Sequence, residues 1–155
     1  MIRHYKSNDH TQVAEAFTYA IHQIAIQHYT LEQCLAWSDS TPNYEYWKKR
    51  CELKRPFIAE VNNEVAGFLE LDTDGHIDCT YVNPTFKRKG VGTKLVNHAI
   101  KTAFNLNLTR LYVEASICAE PLFKKLGFKT ISKNTVSIKG QNLLNYKMEL
   151  HKNVV

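Results

Sequence analysis

The chain has 155 residues, 44% hydrophobic and 23% charged, with a formal net charge of +5. That balance fits one soluble globular domain over residues 1–155 with a core of its own, and argues against a disordered or fibrous chain. No apolar run nears the roughly 20 residues that span a bilayer, and MIRHYKSNDH lacks the apolar stretch of a secretory signal, so a cytoplasmic protein is expected.

Residues 2–6 alternate and suit a short edge strand. The segment 8–27 then carries Val13, Phe17, Ala20, Ile21 and Ile24 at helical spacing, with Asp9 and Gln12 at capping-box distance. A second helix is expected from Thr30, with Gln33 three residues on and Cys34, Leu35 and Trp37 inside it. After the loop SDSTPN, YEYWKKRCEL reads as a third helix that Pro56 ends.

From Pro56 the period switches to two. PFIAEV, EVAGFLEL and HIDCTYV form an antiparallel meander over 57–82, turned by NN and by the Asp-Gly of DTDG. Residues 93–104 form a helix burying Leu95, Val96, Ala99, Ile100 and Ala103. RLYVEAS is a strand rich in β-formers. Ser116 is a candidate N-cap for a helix with Pro121 in its first turn and Gly127 at its end. FKTISKNTVSI and LLNYKMEL close the chain as a hairpin around KGQN.

Cysteines 34, 51, 79 and 118 make no C-x-x-C pair, so reduced thiols are expected. The seven histidines form no H-E-x-x-H motif, and no metal is expected.

Between the meander and the 93–104 helix lies VNPTFKRKGVGTKLV, with cations at Lys87, Arg88, Lys89 and Lys94. The free N–H groups and positive dipole end of a helix's first turn attract anions. Gly90 and Gly92 let backbone approach a ligand without a Cβ in the way. A pyrophosphate suits such a turn, although two glycines can also simply shape a connection. A Walker loop is excluded because one residue, not four, separates the glycines. A dinucleotide fingerprint is excluded because Leu95 stands where glycine is required, and because the preceding meander is antiparallel.

Val82, Pro84, Lys87, Gly90 and Gly92, followed by a helix, resemble motif A of the GNAT superfamily, the acetyl-CoA-dependent N-acyltransferases. Lys87 takes the usual Gln/Arg place. SICAEPLFKKLGF resembles motif B through Ala119, Leu122, Lys125, Gly127 and Phe128. ELDTDGHIDCTYV, EASICAEPLFKKLGF and the terminal LLNYKMEL look like the YafP-like branch of bacterial GNAT proteins. The resemblance implies a mixed α/β (α+β) GNAT fold: a mostly antiparallel sheet, flanked by helices and splayed between strands 4 and 5. It implies acetyl-CoA as cosubstrate, its pantetheine arm pairing with backbone around Tyr81 and Val82 and its pyrophosphate on 87–93 (Lys87, Arg88, Lys89, Gly90, Val91, Gly92, Thr93). The Val82 N–H is then the oxyanion donor.

Transfer to an amine needs a base, an oxyanion donor and help for the departing thiolate. Strict alternation on HIDCTYV puts His76, Asp78 and Thr80 on one face and Ile77, Cys79 and Tyr81 on the other. The resemblance implies a base on this strand, acting directly or through water, so Asp78 and His76 are the candidates, with Glu70 on the partner strand as a third. Asp78 can equally be a structural partner, and His76 an exposed residue at a hairpin end. The motif B positions usually Asn and Tyr are Ser116 and Phe123 here. Ser116 suits a pantetheine amide or a helix cap; Phe123 suits the pantetheine arm or the core. With no tyrosine at 123, the acid falls to Tyr146, Tyr81, Cys118 or water. His28, Tyr29, Trp37 and Tyr146 are candidate acceptor-pocket walls or core residues.

An N-acetyltransferase acting on a small-molecule or peptide amine is the expected function. A CoA-binding regulator without catalysis is the rival that Phe123 sustains. A nucleic-acid module is disfavoured, because the cations gather at one turn without a stacking platform. Neither the acceptor amine nor a homodimer, common in that family, is specified by any residue.

Overall fold

The computed structural model describes residues 1–153, so Val154 and Val155 of the one-domain reading lie outside the described residues. Seven strands form one sheet: β1 (Ile2–His4), β2 (Phe57–Val61), β3 (Glu64–Leu71), β4 (His76–Val82), β5 (Arg110–Ser116), β6 (Lys129–Ile138) and β7 (Gln141–His151). Their order is β1-β2-β3-β4-β5-β7-β6. Every pairing is antiparallel except β4 with β5. The helices are α1 (His10–Tyr19), α2 (Leu31–Trp37), α3 (Tyr44–Lys54), α4 (Val91–Asn105) and α5 (Glu120–Lys125). No described helix is long and apolar enough to cross a membrane.

Each helical layer follows from its apolar stripe. α1 and α3 bury Val13, Ala14, Ala16, Trp47 and Cys51 against Ile58, Val65 and Phe68. On the other face α4 and α5 bury Leu95, Val96, Ala99, Ala103 and Phe123 against Leu69, Ile77, Leu111, Val113 and Met148. Full burial of each such large side chain stabilises by about 1.5–3 kcal/mol. α2 carries the expected capping box: Thr30 Oγ1 accepts from Gln33 N, and Gln33 Oε1 accepts from Thr30 N.

Four expectations are corrected. The first helix is capped one turn earlier, by Asp9 accepting the Lys6 N–H; Gln12 instead accepts from Val65 N on β3. The segment 8–27 is not one regular helix, because α1 runs into a π-turn at Ala20–Ile24 and a 3₁₀ turn at Ala25–Gln27. These turns carry Ile21 and Ala25 into a cluster with Tyr29, Cys34 and Leu143. Ser116 does not cap α5, whose N-cap is Ala119; it closes the preceding turn by accepting the Ala119 N–H. Finally, β4-α4-β5 is itself a parallel crossover, so only Leu95 excludes the dinucleotide fingerprint.

Two irregularities of β4 shape the site. Its register with β3 slips between Glu70 and Leu71: Glu70 faces Cys79 and Leu71 faces Ile77, leaving Asp78 as the extra residue of a bulge. The bulge breaks the expected alternation. Ile77 joins the α4 side, while Cys79 and Tyr81 adjoin the α1–α3 side. The second irregularity is the splay. β4 and β5 pair only at His76↔Tyr112 and Ile77↔Val113, and beyond those pairs the strands part.

Candidate active site

The split exposes backbone. Asn83 N donates to Ala66 O at 2.8 Å, which sets the phase of the β3–β4 ladder. Tyr81 therefore bonds Phe68, whereas the backbone groups of Thr80 and Val82 point away from β3 toward the gap. A ligand arm with amides can pair with Thr80 and Val82; Tyr81 contributes its ring.

At the end of β4 a cavity of about 320 Å³ lies among the 84–93 loop, the π-turn and residues 116–122. Gly90, the N-cap of α4, has φ +72°, and Arg88 also adopts a left-handed φ of +62° without being glycine. A non-glycine residue held there marks a loop whose shape the surroundings impose. The first intrahelical bond runs from Lys94 N to Gly90 O, leaving the N–H groups of Val91, Gly92 and Thr93 without helical partners. Tyr81, Val82, Lys87, Arg88, Gly90, Val91, Gly92, Thr93 and Ser116 all border this cavity. Two residues assigned to the cofactor do not. Lys89 sits over the Phe86 ring at 5.8 Å, and Phe123 is fully buried against Phe128 on the far side of the split.

A second cavity, about 370 Å³, opens on the other side. Its walls include Phe17, Tyr29, Trp37, Tyr46, Trp47 and Tyr81, with Phe123 among the residues reaching it. The two cavities meet at Trp37, Thr80, Tyr81, Ser116 and Ala119, which border both. Of the expected wall residues, Tyr29 and Trp37 are there; His28 and Tyr146 border neither cavity. Tyr146 packs with the α4–α5 core instead, which removes it from the candidate acids and walls.

The candidate bases separate. Glu70 has no exposed surface and is clamped by Arg50, Nε at 2.8 Å and Nη2 at 2.7 Å. It does not border the second cavity; Asp78 does. Asp78 Oδ2 lies 2.8 Å from Lys54 Nζ and 3.2 Å from Arg50 Nη2. Burial alone would push its carboxyl up, but Lys54, with Arg50 and His76 behind it, outweighs this and holds it below the usual carboxylate range. His76 lies behind the wall, with Nδ1 3.2 Å from Asp72 and Nε2 3.0 Å from Glu114. Glu114, which borders the cavity, was missed. Its only signal was the outward phase of β5, and nothing local says which residue of β4 that phase would meet.

The donor atoms of Asp72, His76 and Asp78 lie within 4.8 Å of one another, as do those of Glu70, Asp78 and Cys79. In each group the chain supplies its own cation. Lys54 bridges Asp72 (2.7 Å) and Asp78, and Arg50 reaches Glu70, Asp78 and the Cys79 sulfur.

The sheet is parted at β4–β5, with a glycine turn of free N–H groups on one side and an aromatic-walled cavity on the other, an arrangement that suits an acyl-transferring enzyme. The chain belongs to the acetyltransferase (GNAT) domain family, whose sequence pattern matches residues 25–150. It is 31% identical over 147 residues to the uncharacterized N-acetyltransferase YafP of Escherichia coli K12, covering 95% of this chain and 93% of that protein. It is also 31% identical to a GCN5-related N-acetyltransferase from Rhodopseudomonas palustris, whose crystal structure superposes with a TM-score of 0.90 over 98% of this chain and 95% of that one. The fold is shared with an N-acetyltransferase of Thermoplasma acidophilum solved with coenzyme A, at 16% identity and a TM-score of 0.75 over 98% of each chain.

Proposed function

We propose that the chain transfers the acetyl group of acetyl-CoA to the primary amine of a small molecule or peptide, by direct attack where the two cavities meet. The observation that carries this reading is the junction itself, the parted backbone of Thr80 and Val82 between an anion turn and an aromatic-walled cavity. The residues suit the cosubstrate. Free N–H groups at 91–93 with Lys87 and Arg88 match a pyrophosphate, and unpaired strand backbone matches a pantetheine arm.

When bound, acetyl-CoA supplies an activated thioester. The Val82 N–H donates to the carbonyl oxygen as negative charge develops on it. Asp78 and Glu114 draw an ammonium into the second cavity. Asp78, its carboxyl held low by Lys54 and Arg50, serves as a fixed negative charge. Glu114, backed by the His76 imidazole, takes up the amine's proton and passes it toward Asp72 and solvent. Glu70 holds Arg50 in place. Calorimetric titration with acetyl-CoA tests the cosubstrate half of this reading: micromolar binding is expected, and no detectable binding would remove its basis.

A further inference from the structure

Breaking the C–S bond leaves a thiolate at the junction of the cavities, against aromatic and apolar walls. Partial desolvation makes such an anion costly, so a proton donor beside it lowers the barrier to its departure. Phe123, which borders the second cavity, has no proton to give.

The hydroxyl and thiol groups around the junction can be compared by what already holds them. Tyr29 Oη donates to Leu144 O at 2.6 Å and accepts from Ile117 N at 3.0 Å, so its proton is committed. Tyr46 Oη accepts from Arg50 and does not border the cofactor-side cavity. Cys118 borders only that cavity, with its sulfur 3.1 Å from Ser116 Oγ. Thr80 and Ser116 border both, but an alkanol is a far weaker acid than a phenol.

Tyr81 differs from all of these. It borders both cavities, and its oxygen accepts a hydrogen bond from Trp37 Nε1 at 3.2 Å. Its own proton has no acceptor among the described residues. Phe17 meets the ring at a centroid distance of 4.9 Å and Phe68 at 5.9 Å, which fixes the phenol's direction.

We propose that Tyr81 is the proton donor to the departing thiolate, a role that rests on the transferase reading above. The amine nitrogen forms the new C–N bond and the carbonyl oxygen takes the electron pair. As the carbonyl re-forms, the C–S bond breaks with its pair on sulfur, and the Tyr81 proton goes to that sulfur. The nitrogen's surplus proton leaves through Glu114, and the phenolate regains its proton from solvent. Burial pushes the Tyr81 phenol well above its ordinary range. The same burial raises the proton affinity of the thiolate formed beside it, so the transfer stays matched.

The test is single-turnover acetyl transfer to the best amine of a panel, with acetyl-CoA binding measured separately. Tyr81→Phe is expected to slow the chemical step about 100-fold or more while the acetyl-CoA Kd stays within about twofold. Fluorotyrosines of graded acidity at position 81 are expected to restore the step, with rates that track ring acidity. A Tyr81→Phe variant as fast as wild type would overturn the proposal. So would a fluorotyrosine series with one flat rate, which would reduce the hydroxyl to a prop for Trp37. A wild type that transfers to no amine is a different failure, because it would remove the transferase reading and the proposal with it.

Discussion

Glu70 has no contact with water, so its charge is tolerable only because Arg50 returns two hydrogen bonds below 2.9 Å. Arg50→Met would leave that carboxylate buried and unpaired. A stability loss of about 3–5 kcal/mol is expected, measurable as a lower urea midpoint. Glu114→Gln keeps the size of the side chain but cannot accept a proton. It should lower kcat at neutral pH about 10-fold or more, with acetyl-CoA affinity unchanged; an unchanged kcat would move the base elsewhere. At this scale the sequence was only partly legible. The family resemblance pointed to the strand before the glycine turn, which offered His76 and Asp78, with Glu70 on its hairpin partner as a third candidate. What separates them is the bulge at Asp78 and the approach of Glu114 from another strand, and neither leaves a local mark.

The helix that presents the Gly90–Gly92 turn owes its position to a glycine with no turn to make. A Cβ on Gly67 would lie 2.8 Å from Tyr81 O and 3.2 Å from Val91 Cγ1 and Leu95 Cδ1, so only glycine lets the first turns of α4 settle on β3. Gly67→Ala is expected to cost about 1–3 kcal/mol by overpacking and to weaken acetyl-CoA binding by shifting α4; thermal unfolding and calorimetry read the two effects. Gly92 is different. Its Cβ would meet the flexible end of Leu122 at 3.0 Å, which can move aside. Gly92→Glu should therefore fold normally yet lose acetyl-CoA binding at least 100-fold, because it sets an anion on the proposed phosphate turn; normal binding would mean the turn is not the phosphate site. Most elements were readable from period and punctuation: the meander, the capping box at Thr30, the helix ended before Pro56. The π-turn was not, since it depends on tertiary packing of Ile21 and Ala25. Nor was the seating of β7 between β5 and β6, because hairpin signals say which strands pair but not which one enters the sheet.

Across the whole molecule, the parallel step between β4 and β5 in an otherwise antiparallel sheet creates the split that everything else serves. Charge acts at this scale too. Asp9 and Asp78 are both held below the usual carboxylate range: burial opposes ionisation, but Arg3 and Lys54 respectively overcome it. Because the folded values lie below the unfolded one, their stabilisation is full above a pH of about 4 and drains away as pH falls through the folded values. The Tm should drop steeply below a pH of about 4; a Tm that rises as pH falls through that range would contradict the ion pairs. Acetyl transfer at the junction of the two cavities should show as amine-dependent release of free thiol from acetyl-CoA. Release is expected with at least one class of primary amine from wild type, and none from Gly92→Glu. Release that is independent of every amine, or equal in the two proteins, would contradict it.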